Sequence, residues 1–168
     1  MEIAFSLGSN LDDRVSHLRE AKRQLVAFSD TTLLAQSTLY DTSPVDVAPE
    51  YADLHFVNAV LVLDSDRSPQ EWLERLQTIE SDIGRERDAS DRNAPRTIDI
   101  DMLYAGDAHF ERRDLTLPHP RWATRRFVLE PLAEIRPDHV LPGGSVPVRE
   151  MLTQLDTDDT CKPMSEEW

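Results

Sequence analysis

Two carboxylates one residue apart, Asp99 and Asp101, stand in an otherwise apolar run, Ile98 to Tyr104 (IDIDMLY). On an extended strand alternate side chains share a face, so the pair points one way with Cα atoms roughly 6.5–7 Å apart. Ile98, Ile100 and Met102 then point into a core. Two ionised carboxylates side by side repel unless a cation sits between them. Oxygen ligands of this kind suit a hard ion such as Mg²⁺. The other reading of the pair is an edge strand with a solvated acidic face. Just upstream lie Arg85, Arg87, Arg92 and Arg96. Guanidinium forks grip phosphate oxygens bidentately, or these arginines pair with Glu86, Asp88 and Asp91. A metal-binding pair beside an arginine loop suits phosphoryl transfer, where positioning and charge neutralisation carry most of the catalysis. No GxxxxGK[ST] or GxGxxG loop is present, and the chain has only 5 glycines. Metal and arginine would have to replace a backbone phosphate cradle.

Three further residues could do chemistry. His119 is pinned between Pro118 and Pro120. Asn58 lies within an apolar strand, where its amide is either a satisfied core group or a reader of a heterocycle edge. Phe56 shares its face and offers an aromatic platform. His17 reads as solvated, and Trp72 and Trp122 as packing residues.

The elements that must position these groups follow from pattern. Residues 2–7 form a buried strand ending at Gly8, and Ser9 and Asn10 read as caps. Val15, Leu18, Leu25 and Phe28 predict an amphipathic helix over 11–28. Residues 31–40 form a second strand, 41–54 a long loop of the kind that carries function, and 55–63 a central strand. Ser68, Pro69 and Glu71 spell a capping box that opens a helix, closed by Gly84. The strand 98–104 follows, then short edge strands within 108–117 and helices over 124–135 and 147–155. Beyond Leu155 the tail reads as frayed. The expected fold is α+β: a ferredoxin-like split β-α-β sandwich, with a mainly antiparallel sheet and helices packed on one face. Residues 1–156 would make one domain and 157–168 a polar tail.

Composition narrows the function. Of 168 residues, 39% are hydrophobic and 30% charged, which suits a globular chain, and a net charge of −14 argues against nucleic-acid binding. The single cysteine excludes an internal disulfide, and no apolar run could span a membrane. A cytoplasmic monomer is expected.

The run Pro95–Leu103 (PRTIDIDML) resembles the signature of the 6-hydroxymethyl-7,8-dihydropterin pyrophosphokinase family of folate biosynthesis. SLGSNL (6–11), STLYDTSPV (37–45), the Asn58 strand, GRER (84–87), LTLPHP (115–120) and RRFVLEPLAEI (125–135) extend the likeness across residues 2–142. The resemblance implies transfer of pyrophosphate from ATP to the pterin hydroxymethyl group, giving AMP, on a ferredoxin-like fold. It implies that Asp99 and Asp101 bind two Mg²⁺ ions. Asn58 would read the pterin with backbone groups at Thr42, Ser43 and Val45, and Phe56 and Phe127 would stack on the ring. Gln77, Glu80, Met102, Thr116, His119 and Arg125 would surround ATP. Arg85, Arg87, Arg92 and Arg96 would close over the triphosphate, Arg85 and Arg96 as catalytic groups. Three positions depart from the pattern. Asn93 stands where a tryptophan is frequent, Asp114 where a basic residue is common, and Pro120 where an aromatic is frequent.

Overall fold

A computed structural model describes residues 1–85 and 94–168. Arg87 and Arg92, expected at the triphosphate, and Asn93 lie outside the described residues. The order is β1 (Glu2–Ser9), α1 (Arg14–Val26), β2 (Thr31–Gln36), β3 (Tyr40–Thr42), β4 (Phe56–Ser65), α2 (Pro69–Asp82), β5 (Asp99–Ala105), β6 (Phe110–Glu111), β7 (Thr116–Leu117), α3 (Arg126–Ile135), α4 (Val148–Gln154) and β8 (Cys161–Pro163). The main sheet runs β5-β1-β4-β3-β8, with β2 also on β4 and each of these pairings antiparallel. The split β-α-β core is therefore the expected one. It belongs to the α+β class.

The sheet separates two cores because strand residues alternate between faces. On one side Phe5, Leu7, Leu61, Leu63 and Ile100 pack with Leu18 and Leu25 of α1 and Trp72, Leu76 and Ile79 of α2. Across the sheet Ala4, Val60, Val62, Leu103 and Tyr104 pack with Val128, Leu129 and Leu132 of α3 and Val148 of α4. The expectation of helices on one face holds for α1 and α2 only. The strongly apolar α3 needs a second surface to bury, and the far face of the sheet supplies it.

Local signals explain most boundaries. The α2 capping box forms as read: Ser68 Oγ accepts from Glu71 N, and the Glu71 carboxylate accepts from Ser68 N at 2.9 Å. Helix α1 starts later than expected. Asp13 caps it, accepting from Ser16 N at 3.1 Å. Ser9 and Asn10 are buried instead, at 0% and 5% exposure. His17 is half-buried with Nδ1 3.4 Å from Ser9 Oγ, so it is not simply solvated. The loop 41–54 contains strand residues at its start and a 3-10 turn at Pro49–Tyr51. The tail is the largest departure. Beyond Leu155 it does not fray: β8 pairs with β3, and Met164 and Trp168 pack against the first core.

Candidate active site

Cross-strand register assembles the site. Gly8 of β1 faces Asn58 of β4 on one side and Asp99 of β5 on the other, while Ser6 faces Asp101. Ser6 and Gly8 share the parity of Ala4, and Phe56 and Asn58 that of Val60, so all lie on the face that α3 covers. Asp99 and Asp101 alternate with Ile100 and Met102, both buried in the opposite core, and therefore point to the α3 face too. With strands about 4.8 Å apart, Asn58 and the carboxylate pair are roughly 10 Å apart across a glycine.

Gly8 has to be glycine. A Cβ at this position would lie 2.5 Å from Asn58 Oδ1 and 3.8 Å from the Phe56 ring. Asn58 is only 4% exposed, and its Nδ2 donates to Thr42 Oγ1 at 2.7 Å. Thr42 is itself buried at the end of β3. Phe56 is half-buried beside Gly8, and Ser43 and Val45 are half-buried in the loop that leaves β3. Phe127 is half-buried in the first turn of α3, with the Arg125 guanidinium 5.3 Å from its ring.

The carboxylate pair is not a solvated acidic edge. Asp99 Oδ1 meets Arg85 Nη1 at 2.6 Å, and Asp99 Oδ2 meets Arg96 Nη1 at 2.9 Å. Arg85 also pairs with Glu80, a residue 4% exposed. Because β5 is an edge strand, the Ile100 N–H faces outward, and Glu80 Oε1 accepts it at 2.9 Å. Glu80 thus holds both the strand and an arginine. Arg96 is fixed through its backbone: its N–H donates to Asn10 Oδ1 at 2.8 Å, and its carbonyl accepts from Asn10 N at 3.2 Å. Asn10 is a positioning residue that sequence reasoning took for a helix cap. Its place just after an apolar strand and beside Gly8 was the available clue.

Asp101 faces a second pair of bases. His119 Nε2 is 3.6 Å and Arg125 Nη1 3.7 Å from Asp101 Oδ2. Burial, then the Asp99 charge, push the Asp101 carboxyl up to about 6. Burial, then Arg125 and Arg121, bring His119 down to about 4, so it is neutral near pH 7. Its Nδ1 accepts from Arg121 N at 3.2 Å, which leaves the proton on Nε2, facing Asp101. The backbone of His119 is held by donation to the Leu103 carbonyl at 2.8 Å.

A cavity of about 250 Å³ opens beside Asp101, and Met102, Thr116 and His119 line it together with Arg112, Arg113 and Asp114. Asp114 accepts a hydrogen bond from Gln70 of α2 at 3.3 Å, so its charge is partly engaged. Gln77 is exposed on α2, one turn before Glu80. Of the expected site residues that are described, two groups emerge. Thr42, Ser43, Val45, Phe56 and Asn58 gather around the end of β4. Along β5, ion pairs join Glu80, Arg85, Asp99 and Arg96, and next to them Asp101 lies beside Arg125 and neutral His119.

The family model for 7,8-dihydro-6-hydroxymethylpterin-pyrophosphokinase (HPPK) matches residues 4–137. The chain belongs to this family. Among similar proteins, the 2-amino-4-hydroxy-6-hydroxymethyldihydropteridine pyrophosphokinase of Bacillus subtilis is 38% identical over 77% of this chain and 75% of its own length. That of Methylorubrum extorquens is 39% identical over 89% of this chain and 90% of its own. An HPPK-DHPS crystal structure from Plasmodium falciparum superposes with a TM-score of 0.69 at 16% identity, over 91% of this chain and 43% of that longer one. That likeness concerns the fold alone. Residues 4–137 include β1, β4, β5 and the start of α3, the HPPK elements that hold both groups of site residues.

The donor set at Asp99 and Asp101 fits a divalent cation. The Asp99 charge raises the cost of ionising Asp101, which a hard cation removes. No third acidic, histidine or cysteine ligand joins them among the described residues. The rest of a coordination shell would come from phosphate oxygens and water.

Proposed function

We infer that this HPPK-family chain transfers the pyrophosphoryl group of ATP to the hydroxymethyl group of 6-hydroxymethyl-7,8-dihydropterin, releasing AMP. The observation that carries the site assignment is the row Asn58–Gly8–Asp99, which puts a buried amide reader roughly 10 Å from a carboxylate pair. That span suits a bicyclic ring with its hydroxymethyl arm. The hydroxyl oxygen attacks the β-phosphorus, the bond from that phosphorus to the oxygen bridging to the α-phosphate breaks, and the hydroxyl gives up its proton.

The pterin half is assigned to Asn58 with the backbone of Thr42, Ser43 and Val45, and to Phe56 and Phe127 as ring contacts. The Thr42 hydroxyl holds Nδ2 of Asn58, fixing the amide's orientation before the substrate arrives. The ATP half is assigned to Gln77, Glu80, Met102, Thr116, His119 and Arg125, with Arg87 and Arg92 from outside the described residues. Neutral His119 presents an N–H donor at the cavity mouth, suited to a phosphate oxygen. Two Mg²⁺ ions held by Asp99 and Asp101 would neutralise phosphate charge and orient the attacking hydroxyl. Arg85 and Arg96, now on Asp99, are placed to exchange that carboxylate for the triphosphate when a cation takes it over. A cytoplasmic monomer is part of the same proposal.

The test is AMP formation from MgATP and 6-hydroxymethyl-7,8-dihydropterin by wild type, Asp99→Ala and Asp101→Ala. Wild-type AMP formation that both variants lose supports the assignment. Tight pterin binding without AMP would mark a binding protein instead.

A further inference from the structure

The acceptor half hangs from a weak element. β3 is three residues long, and the segment Thr42–Val45 leaves from its end. One side of β3 is secured on β4, with Tyr40 opposite Asn58 and Thr42 opposite Phe56. Side chains reinforce that seam: Asp41 meets His55 Nδ1 at 2.6 Å, and Arg14 donates to the His55 carbonyl at 2.9 Å. Without a neighbour on its other side β3 would be an open edge, and three ladder residues order poorly alone.

Residues 160–168 supply that neighbour. β8 pairs antiparallel with β3, Cys161 opposite Thr42 and Pro163 opposite Tyr40. The contact continues one residue into the acceptor segment. Ser43 N–H donates to the Thr160 carbonyl at 3.1 Å, and Thr160 N–H donates to Ser43 Oγ at 2.9 Å. At the other end Met164 N–H donates to the Leu39 carbonyl at 2.8 Å. The Trp168 indole N–H then donates to the Ser37 carbonyl at 2.8 Å, and its ring packs on the first core. Lys22 lies 5.1 Å from that ring and also donates to the Trp168 carbonyl, which Gln36 reaches at 3.1 Å. The segment is therefore fastened twice, at Ser43 and at α1, with β3 between.

We propose that residues 160–168 act as a positioning strap for the acceptor site, setting the backbone of Thr42 and Ser43 and through it the affinity for the pterin. The inference rests on the assignment of Thr42–Val45 to the pterin given above. The link to the reader amide is direct, since Thr42 Oγ1 holds Asn58 Nδ2. A strap that loosens lets Thr42 drift and the amide turn. The ATP half lies on β5, at the opposite edge of the sheet from β8, with β1, β4 and β3 between. Pterin affinity should therefore respond to the strap and ATP affinity should not. The residues concerned are positioning residues; none is assigned to a reacting atom.

The test uses the full chain with three variants. Trp168→Ala removes the ring packing and indole N–H of the distal anchor, Trp168→Phe keeps its ring packing, and Thr160→Pro removes the N–H that Ser43 accepts while leaving Trp168 in place. Thr160 is exposed, so that variant spares the core. Binding is titrated with oxidised 6-hydroxymethylpterin by its fluorescence and with a non-hydrolysable MgATP analogue by calorimetry. Exchange of the Thr42 and Ser43 amides is followed in parallel. Trp168→Ala and Thr160→Pro should weaken pterin binding roughly five-fold, the effect of one lost hydrogen bond, with amide exchange faster. ATP-analogue binding should stay within about two-fold, and Trp168→Phe should fall between wild type and Trp168→Ala. Equal weakening of both ligands would overturn the strap, as would unchanged pterin affinity with faster amide exchange. A wild type that binds the ATP analogue but no pterin would overturn the function reading along with it.

Discussion

Gly8 carries a demand that no side-chain chemistry reveals. It stands between the amide that is to read the acceptor and the carboxylates that are to hold the metal, and its missing Cβ leaves room for Asn58 Oδ1. Gly8→Ala would force Asn58 off its rotamer or away from Thr42. The pterin KM should rise about ten-fold or more, with the ATP KM within two-fold; steady-state kinetics with each substrate varied in turn would show the split. At the other end of the row the arginines make a distinct prediction. Arg96 pairs with Asp99 on β5, two strands from Asn58. Arg96→Ala should lower kcat about 10²-fold while the pterin KM changes less than three-fold. An equal loss in both would contradict its assignment to the phosphates.

Among the elements, α3 covers the face of the sheet that carries the site, with Phe127 in its first turn and Arg125 just before it. Its seat on the sheet depends on Glu134, whose carboxylate accepts from Thr38 N at 3.0 Å, Thr38 Oγ1 at 2.8 Å and Tyr40 Oη at 3.0 Å. Glu134→Ala should destabilise the chain by about 1–3 kcal/mol, read from the urea midpoint, and should lower pterin affinity as α3 loosens. Pattern alone located α2 to within a residue, since Ser68, Pro69 and Glu71 write the cap in side chains. The carboxylate pair was legible for the same reason: alternation with Ile100 and Met102 fixes its face. Arg85 and Arg96 were legible as a cluster, yet their shared partner Asp99 was not, because an ion pair needs coordinates. β3 and β8 escaped reading because three-residue strands carry too little alternation to register. They form because each completes the other's hydrogen bonds. Asn10 was misread since an asparagine after a strand looks like a helix cap until the true cap, Asp13, is seen three residues on.

Across the whole molecule, acid stability also draws on a cluster far from the site, where β1, β5 and the end of α3 close the second core. Tyr104 donates to Glu2 at 2.6 Å, and Arg136 grips the same carboxylate through Nε and Nη2 at 3.1 and 3.0 Å. Burial alone would raise the Glu2 carboxyl, but the hydrogen bonds from Arg136 and Tyr104 more than offset it, and its pKa falls below the usual 4.5. His139 stacks on Tyr104 with ring centroids 4.4 Å apart, and burial, opposed by Glu2 and aided by Arg136, lowers its pKa below 6.5. Both shifts have one sign for stability. A histidine harder to protonate when folded costs stability as pH drops below 6.5, because the unfolded chain takes up the proton first. A carboxyl harder to protonate when folded contributes stability above 4.5 and loses it as pH falls through the folded value. The folding free energy should therefore decline on acidification in two steps, one beginning near pH 6.5 and one below 4.5. Urea unfolding at a series of pH values should show His139→Phe without part of the first step, which the buried His119 shares, and Glu2→Gln without part of the second. Glu2→Gln should also be less stable than wild type at pH 7, where the carboxylate contributes in full. If the acid decline kept its size and position in both variants, this cluster would not govern it.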